Sequence, residues 1–213
     1  MPTPPDALLC DMDGTLVDTE ASWLETVDGL LHEHGEAHGP EAVRGFAGLP
    51  LGSAAQLLAV RIRRPVDVVA ERLHHGFTAR VSSGVRLKPG AAELLDRAAA
   101  LGVPVALVTA SERAVTDQVL RTLGAARFAL SVANGETARG KPHPDPYLAA
   151  CRLLGAAPGR CLAVEDTPVG VRAALAAGCR VLAVPTVPGI VAGGRTTVVG
   201  SLREIALWDF SFD

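Results

Sequence analysis

Short apolar runs alternate with stretches of helical period along most of the chain. Ala7 to Cys10 is apolar throughout and ends in Asp11, with a glycine three positions further on. That is the pattern of a buried strand delivering an acid at its carboxyl end. Val103 to Val108, Cys161 to Val164 and Val181 to Val184 have the length and β-branching of strands covered on both faces. Ala91 to Leu101, Glu112 to Leu123 and Thr167 to Ala177 carry helical periodicity, and each is followed by a glycine that can end a helix. Strand, helix, strand in this rhythm predicts right-handed crossovers. The expected fold is α/β, a doubly wound, mainly parallel sheet with helices on both faces.

One stretch breaks the rhythm. Leu16 to Leu87 has no comparable strand run, but shows helical patterns at Trp23 to His34, Leu51 to Arg61 and Val66 to Val81. About 70 residues is far more than a connection needs. The stretch reads as an α-helical domain inserted after the first strand, with hinges near Val17 to Glu20 and Ser82 to Lys88. The expected division is a core of residues 1–16 and 88–213 and an inserted domain of residues 17–87.

Composition agrees with a folded protein: 48% of the 213 residues are hydrophobic and 20% charged. A net charge of −3 gives no basic field to gather nucleic acid or an anionic membrane. No apolar run approaches the roughly 20 residues that span a bilayer, and Met1 to Asp6 lacks a signal-peptide pattern, so a cytoplasmic location is expected. Cys10, Cys151, Cys161 and Cys179 form no Cys-x-x-Cys pair and sit in apolar runs, as reduced structural thiols do.

The chemistry gathers at strand ends. Asp11-Met12-Asp13-Gly14-Thr15 sets two carboxylates two residues apart, so that one could attack while the other moves a proton. Two like charges about 4 Å apart repel by about 4 kcal/mol at an effective dielectric near 20, so a cation is needed. Magnesium suits an all-oxygen site with few protein carboxylates. Glu165-Asp166 ends another strand and can converge on the same sheet edge. Thr109 closes a third strand and offers a hydroxyl, with the amides of Ala110 and Ser111 at a helix start where phosphate oxygens bind well. Lys141 supplies a cation for the nucleophile and the transferring phosphoryl group.

In this order, Asp11 to Thr15, Thr109, Lys141 and Glu165-Asp166 resemble the four signature motifs of the haloacid dehalogenase-like hydrolases. Leu16-Val17-Asp18-Thr19-Glu20, Lys88-Pro89-Gly90, Lys141-Pro142-His143-Pro144-Asp145-Pro146 and Glu165-Asp166-Thr167 leading to Gly170 extend the likeness across nearly the whole chain. The pattern is most similar to the subgroup with a helical cap after the first strand, which contains phosphoglycolate phosphatase, sugar-phosphate phosphatases and β-phosphoglucomutase. The resemblance implies a magnesium-dependent phosphatase of a small phosphorylated metabolite, with Asp11 forming an aspartyl-phosphate. Asp13 would protonate the leaving group and then activate water. Asp11, the backbone carbonyl of Asp13 and Asp166 would hold the metal, with Glu165 as a further ligand. Thr109 and Lys141 would bind phosphoryl oxygens, and Thr15, Ala110, Ser111 and the cap residues Gly48 and Leu49 would line the substrate site.

Two rival readings follow. Dehalogenases of this superfamily lack an acid two positions after the nucleophile, so Asp13 argues against carbon–halogen cleavage. A phosphosugar mutase is favoured by Thr109-Ala110-Ser111, but Trp23 stands where β-phosphoglucomutase has a histidine and Leu51 where it has a cap arginine. Arg44, Arg61, Arg63 or Arg64 would have to supply the second phosphate clamp. A non-catalytic binding protein would gain little from a strained cluster of acids. Trp23 reads as either cavity lining or cap core, and His143 and Tyr147 as supports of the lysine loop. His32, His34 and His38 read as a solvated helix end, since a fourth zinc ligand is missing. The substrate itself and the oligomeric state stay open, a monomer being sufficient.

Overall fold

The structure, a computed structural model, describes residues 4–47, 49 and 51–204. It contains two compact units, Met1–Val17 with Leu87–Asp213, and Asp18–Arg86.

The first unit is built on a six-stranded, wholly parallel sheet. Its strands are β1 (Ala7–Cys10), β2 (Val105–Val108), β3 (Leu130–Val132), β4 (Cys161–Glu165), β5 (Arg180–Ala183) and β6 (Thr196–Val198), in the order β3-β2-β1-β4-β5-β6. Leu9 registers with Ala106 on one side and Ala163 on the other, so β1 lies at the centre. Four successive residues of β1 are buried, as are four of β2 and five of β4. This burial explains why the runs are apolar without alternation.

Ala7, Leu9, Ala106, Val108, Cys161 and Ala163 share one packed cluster with Tyr147, Ala150, Val171 and Ala174. Those last four belong to α7 (Asp145–Leu154) and α8 (Pro168–Ala177), which cover that face. Leu8, Leu107, Leu162 and Leu182, pointing the other way along the same strands, are also fully buried. Truncating such a leucine to alanine costs about 2–5 kcal/mol. Helices α5 (Ala91–Ala100) and α6 (Arg113–Leu123) complete the unit.

Two strands and one helix go beyond the sequence expectation. β3 and β6 are three-residue edge strands with partly exposed positions, too short and too polar for a buried-run signature. α7 begins among prolines, which its first turn tolerates because the first helical amides have no intrahelical acceptor.

The second unit is helical: α1 (Thr19–Glu33), α2 (Pro40–Val43), α3 (Leu51–Ile62) and α4 (Val66–Ser83). The Asp18 carboxylate caps α1 by accepting from Ala21 N at 3.3 Å. Val27, Leu31, Leu58 and Leu73 form its core, with α4 packing on both α1 and α3. Trp23 belongs to that core. It is 8% exposed, donates Nε1–H to Phe46 O at 3.0 Å and meets Phe77 edge-on at 5.9 Å. Arg61 is likewise committed within this unit, donating to Ala42 O at 3.1 Å and Ala37 O at 2.7 Å, while Arg44 pairs with Glu41 at 2.7 Å. Among the described residues, no helix is long and apolar enough to cross a membrane.

Candidate active site

Three strands lead into residues that carry charge or hydroxyls. β1 hands on to Asp11, whose amide continues the ladder to Val164 O at 2.9 Å, and β4 ends in Glu165, followed by Asp166. β2 is followed by Thr109, whose amide donates to Val132 O at 2.9 Å. Strand order reverses between β1 and β4, and at such a switch point the loops part to leave a crevice beyond the carboxyl ends. Asp11, Glu165 and Asp166 meet there, one carboxylate oxygen of each lying within 4.8 Å of the others. They are 6%, 1% and 3% exposed.

Lys141 answers this charge. Its Nζ donates to Asp11 Oδ1 at 2.7 Å, to Glu165 Oε1 at 2.6 Å and to Val108 O at 2.8 Å. Burial pulls the Lys141 pKa down, but the carboxylates of Asp11 and Glu165 outweigh it and hold the ammonium above its ordinary value. Glu165 Oε1 also accepts from the buried Tyr147 hydroxyl at 2.5 Å, and its Oε2 accepts from Asp166 N at 3.3 Å. Burial raises the Glu165 pKa against the opposing pull of Lys141. Asp166 is raised to about 7, first by burial and then by the charge of Asp11, although Thr186 donates to its Oδ2 at 2.5 Å.

One oxygen is left over. Asp11 Oδ2 is buried and has no hydrogen-bond partner, a state that costs about 1–3 kcal/mol or more for a charged group. Three buried carboxylates against a single lysine, all-oxygen donors and an orphaned oxygen fit a hard divalent cation. Among the described residues no other group of three or more His, Cys, Asp or Glu could hold an ion. The β1 loop must also pass close by. A Cβ on Gly14 would stand 2.1 Å from Asp166 Oδ2, and its φ of +80° is one that side chains disfavour.

Asp13 is held from the β2 side. Its Oδ2 accepts from Ser111 Oγ at 2.6 Å and from Thr109 Oγ1 at 3.2 Å. The Ser111 amide donates to Thr109 Oγ1 at 3.0 Å. The Thr109 hydroxyl, expected to face phosphate, therefore turns to Asp13, and one of the two amides expected to bind phosphate, that of Ser111, is already engaged. Ala110 is exposed. Thr15 is 1% exposed and its hydroxyl has no partner. Leu49 packs against the core of the helical unit, and Gly48 lies outside the described residues.

Three contacts were not legible beforehand. Ser111 was expected to use its amide, not its hydroxyl. Tyr147, expected to support the lysine loop, extends its hydroxyl to Glu165. Thr186 stands three residues beyond the end of β5 at Ala183, and no motif of the sequence marks it. His32 and His38 meet edge-on at 4.6 Å within the helical unit. All four cysteines are free and buried, with Cys151 Sγ 3.7 Å from Cys161 Sγ.

A doubly wound parallel sheet with an acid cluster at its switch point, interrupted after the first strand by a helical cap, defines a Rossmann-like hydrolase class. The chain belongs to the haloacid dehalogenase-like hydrolase family, whose model matches residues 5–178. It is 36% identical over 178 residues to hexitol phosphatase A of Escherichia coli K12, covering 83% of this chain and 81% of that protein. A crystal structure of a haloacid dehalogenase family hydrolase from Deinococcus radiodurans R1, with bound phosphate and sodium, is 32% identical with a TM-score of 0.74, covering 94% of this chain and 93% of that one. CbbY from Rhodobacter sphaeroides, crystallised with phosphate, is 26% identical with a TM-score of 0.74, covering 97% of this chain and 100% of that one.

Proposed function

We propose that the protein is a magnesium-dependent phosphatase that hydrolyses a small phosphorylated metabolite, of the sugar-phosphate or sugar-alcohol-phosphate class, through a phosphorylated Asp11. The observation that carries this reading is the division of labour at Asp11: Oδ1 is fixed by Lys141 while Oδ2 has no protein partner. Oδ1 is the attacking oxygen, and Lys141 lowers the repulsion between it and the incoming phosphate oxygens. Oδ2, with Asp166 and the backbone carbonyl of Asp13, would hold magnesium. When bound there, magnesium would supply positive charge for the phosphoryl oxygens beyond what one lysine can neutralise.

Two steps then follow. Asp11 Oδ1 forms a bond to phosphorus as the ester oxygen leaves, and Asp13 gives its proton to that oxygen. Asp13, now ionised, takes a proton from water as the water oxygen attacks phosphorus, releasing phosphate and regenerating Asp11. Thr109 and Ser111 hold Asp13 for both transfers. The hexitol phosphatase relative supports the choice of substrate class, and the phosphate-bound relatives support phosphate recognition.

The mutase reading needs a second phosphate clamp. Of the four arginines that could supply it, Arg61 spends its guanidinium on Ala42 O and Ala37 O, which weighs against Arg61 in that role.

The test is phosphate release from a panel of hexose, hexitol, pentose and two-carbon phosphate esters with magnesium, wild type beside Asp11→Asn. Release that vanishes in Asp11→Asn is the expected result. Release that persists in Asp11→Asn rejects the nucleophile. Isomer formation from β-glucose 1-phosphate without free phosphate would replace the phosphatase with the mutase.

A further inference from the structure

The catalytic lysine is tethered through a glutamate whose own position is fixed by a tyrosine on a different element. Glu165 Oε1 receives two donors at once, Lys141 Nζ at 2.6 Å and Tyr147 Oη at 2.5 Å. On its other flank the carboxylate lies against Gly170 of α8, where an added Cβ would fall 2.0 Å from three of its atoms. Lys141 Nζ sits 5.2 Å from the centre of the Tyr147 ring, so the ring also lies beneath the ammonium. Tyr147 is fully buried and donates its hydroxyl to Glu165.

Resting on the phosphatase reading above, we infer that Tyr147 is a positioning residue for phosphoryl transfer. Its hydroxyl and Gly170 pin Glu165 between α7 and α8, and the pinned carboxylate sets where Lys141 presents its charge. The same contacts cast Glu165 as the anchor of Lys141 and leave Asp11 and Asp166 as the side chains for a metal. A lysine anchored at one point on Asp11 and one backbone carbonyl could pivot. The third anchor, Glu165, removes that freedom, and Tyr147 keeps the anchor from following the lysine.

A positioning role predicts a split between rate and binding. Tyr147→Phe keeps the ring and deletes only the hydroxyl. It is expected to lower kcat about tenfold, the scale of one hydrogen bond to a charged group, with KM changed less than about twofold. If the tyrosine acts through Glu165, then Tyr147→Phe added to Glu165→Gln lowers kcat no further. Unchanged kcat in Tyr147→Phe, or full additivity with Glu165→Gln, overturns the inference while leaving the phosphatase reading intact. That reading fails separately if wild type releases no phosphate.

A second readout does not depend on Tyr147→Phe, because Tyr147 is the single tyrosine of the chain. Wild-type protein grown on 3-fluorotyrosine carries one fluorine resonance from this side chain. The resonance is expected to shift in Lys141→Met, which removes the ammonium over the ring and the shared partner on Glu165. An unmoved resonance overturns the coupling.

Discussion

The Ser111 hydroxyl donates to Asp13 Oδ2 at 2.6 Å, and Thr109 adds a longer bond of 3.2 Å to the same oxygen. The proposed acid/base is thus oriented by side chains from a different strand end, reached through the sheet and not through its own loop. Asp13→Asn keeps the hydrogen-bonding shape but removes the exchangeable acid proton, and should lower kcat by about 10²–10⁴. Ser111→Ala leaves the acid but frees its orientation, and should lower kcat by about tenfold. Steady-state phosphate release measures both, and a wild-type kcat in Ser111→Ala would show that this hydroxyl does not orient the acid.

The orphaned Asp11 Oδ2 and the crowded acids predict metal dependence with a definite residue signature. Dialysis against EDTA should abolish turnover, and magnesium should restore it. Asp166→Asn should raise the magnesium concentration needed for half-maximal activity by at least about tenfold, the scale of losing one carboxylate ligand or its outer support. Turnover that survives thorough chelation would remove the metal from the mechanism.

Much of this was readable in the sequence, for a physical reason. β1 and β4 are buried on both faces, so they had to be written as unbroken apolar runs, and the acids after them stood out. Parallel strands with crossovers then carry their carboxyl ends to one edge, so the sequence alone groups Asp11, Thr109 and Glu165. What could not be read was side-chain direction. Whether Ser111 offered an amide or a hydroxyl, and whether Tyr147 braced its own loop or Glu165, depends on rotamers set by neighbours distant in sequence. Edge strands escaped for the opposite reason, since Leu130–Val132 and Thr196–Val198 are partly exposed and need no continuous apolar run. Arg61 was free to be a substrate clamp on paper and is tied to two backbone carbonyls in space.

Without metal, stability should fall as pH rises from 5 to 8. Asp166 carries a pKa of about 7 in the folded state, raised by burial and by Asp11, against about 3.9 when unfolded. Between those values the folded protein holds a proton that the unfolded chain has lost, so each step up in pH favours unfolding. Glu165, also raised, acts with the same sign. Lys141 is raised too, but its contribution is complete below the ordinary lysine pKa and is lost only in alkaline solution. Glu136 and Asp145, both lowered by arginine partners, lose their contribution only below about pH 4. Thermal melts in EDTA should therefore show a falling midpoint across this window, and saturating magnesium should flatten or reverse the slope because it binds the ionised acids. A midpoint that rises with pH in EDTA would contradict the protonation of Asp166.

Gly170 tests how tightly the site is packed from behind. It lies in α8, where alanine would ordinarily favour the helix by up to about 1 kcal/mol. Here the added methyl would fall 2.0 Å from the Glu165 carboxylate, which Lys141 and Tyr147 hold from the other side. The carboxylate cannot retreat without breaking a buried ion pair, so the gain in helix propensity is overridden. Gly170→Ala should destabilise the protein by about 1–3 kcal/mol, each kcal/mol lowering the melting midpoint by about 2–4 °C in a chain of this size. It should also lower kcat in the same sense as Tyr147→Phe, because both displace the same anchor. A Gly170→Ala protein that melts higher and turns over normally would mean that Glu165 has room to move, and the tether argument for Lys141 would fail with it.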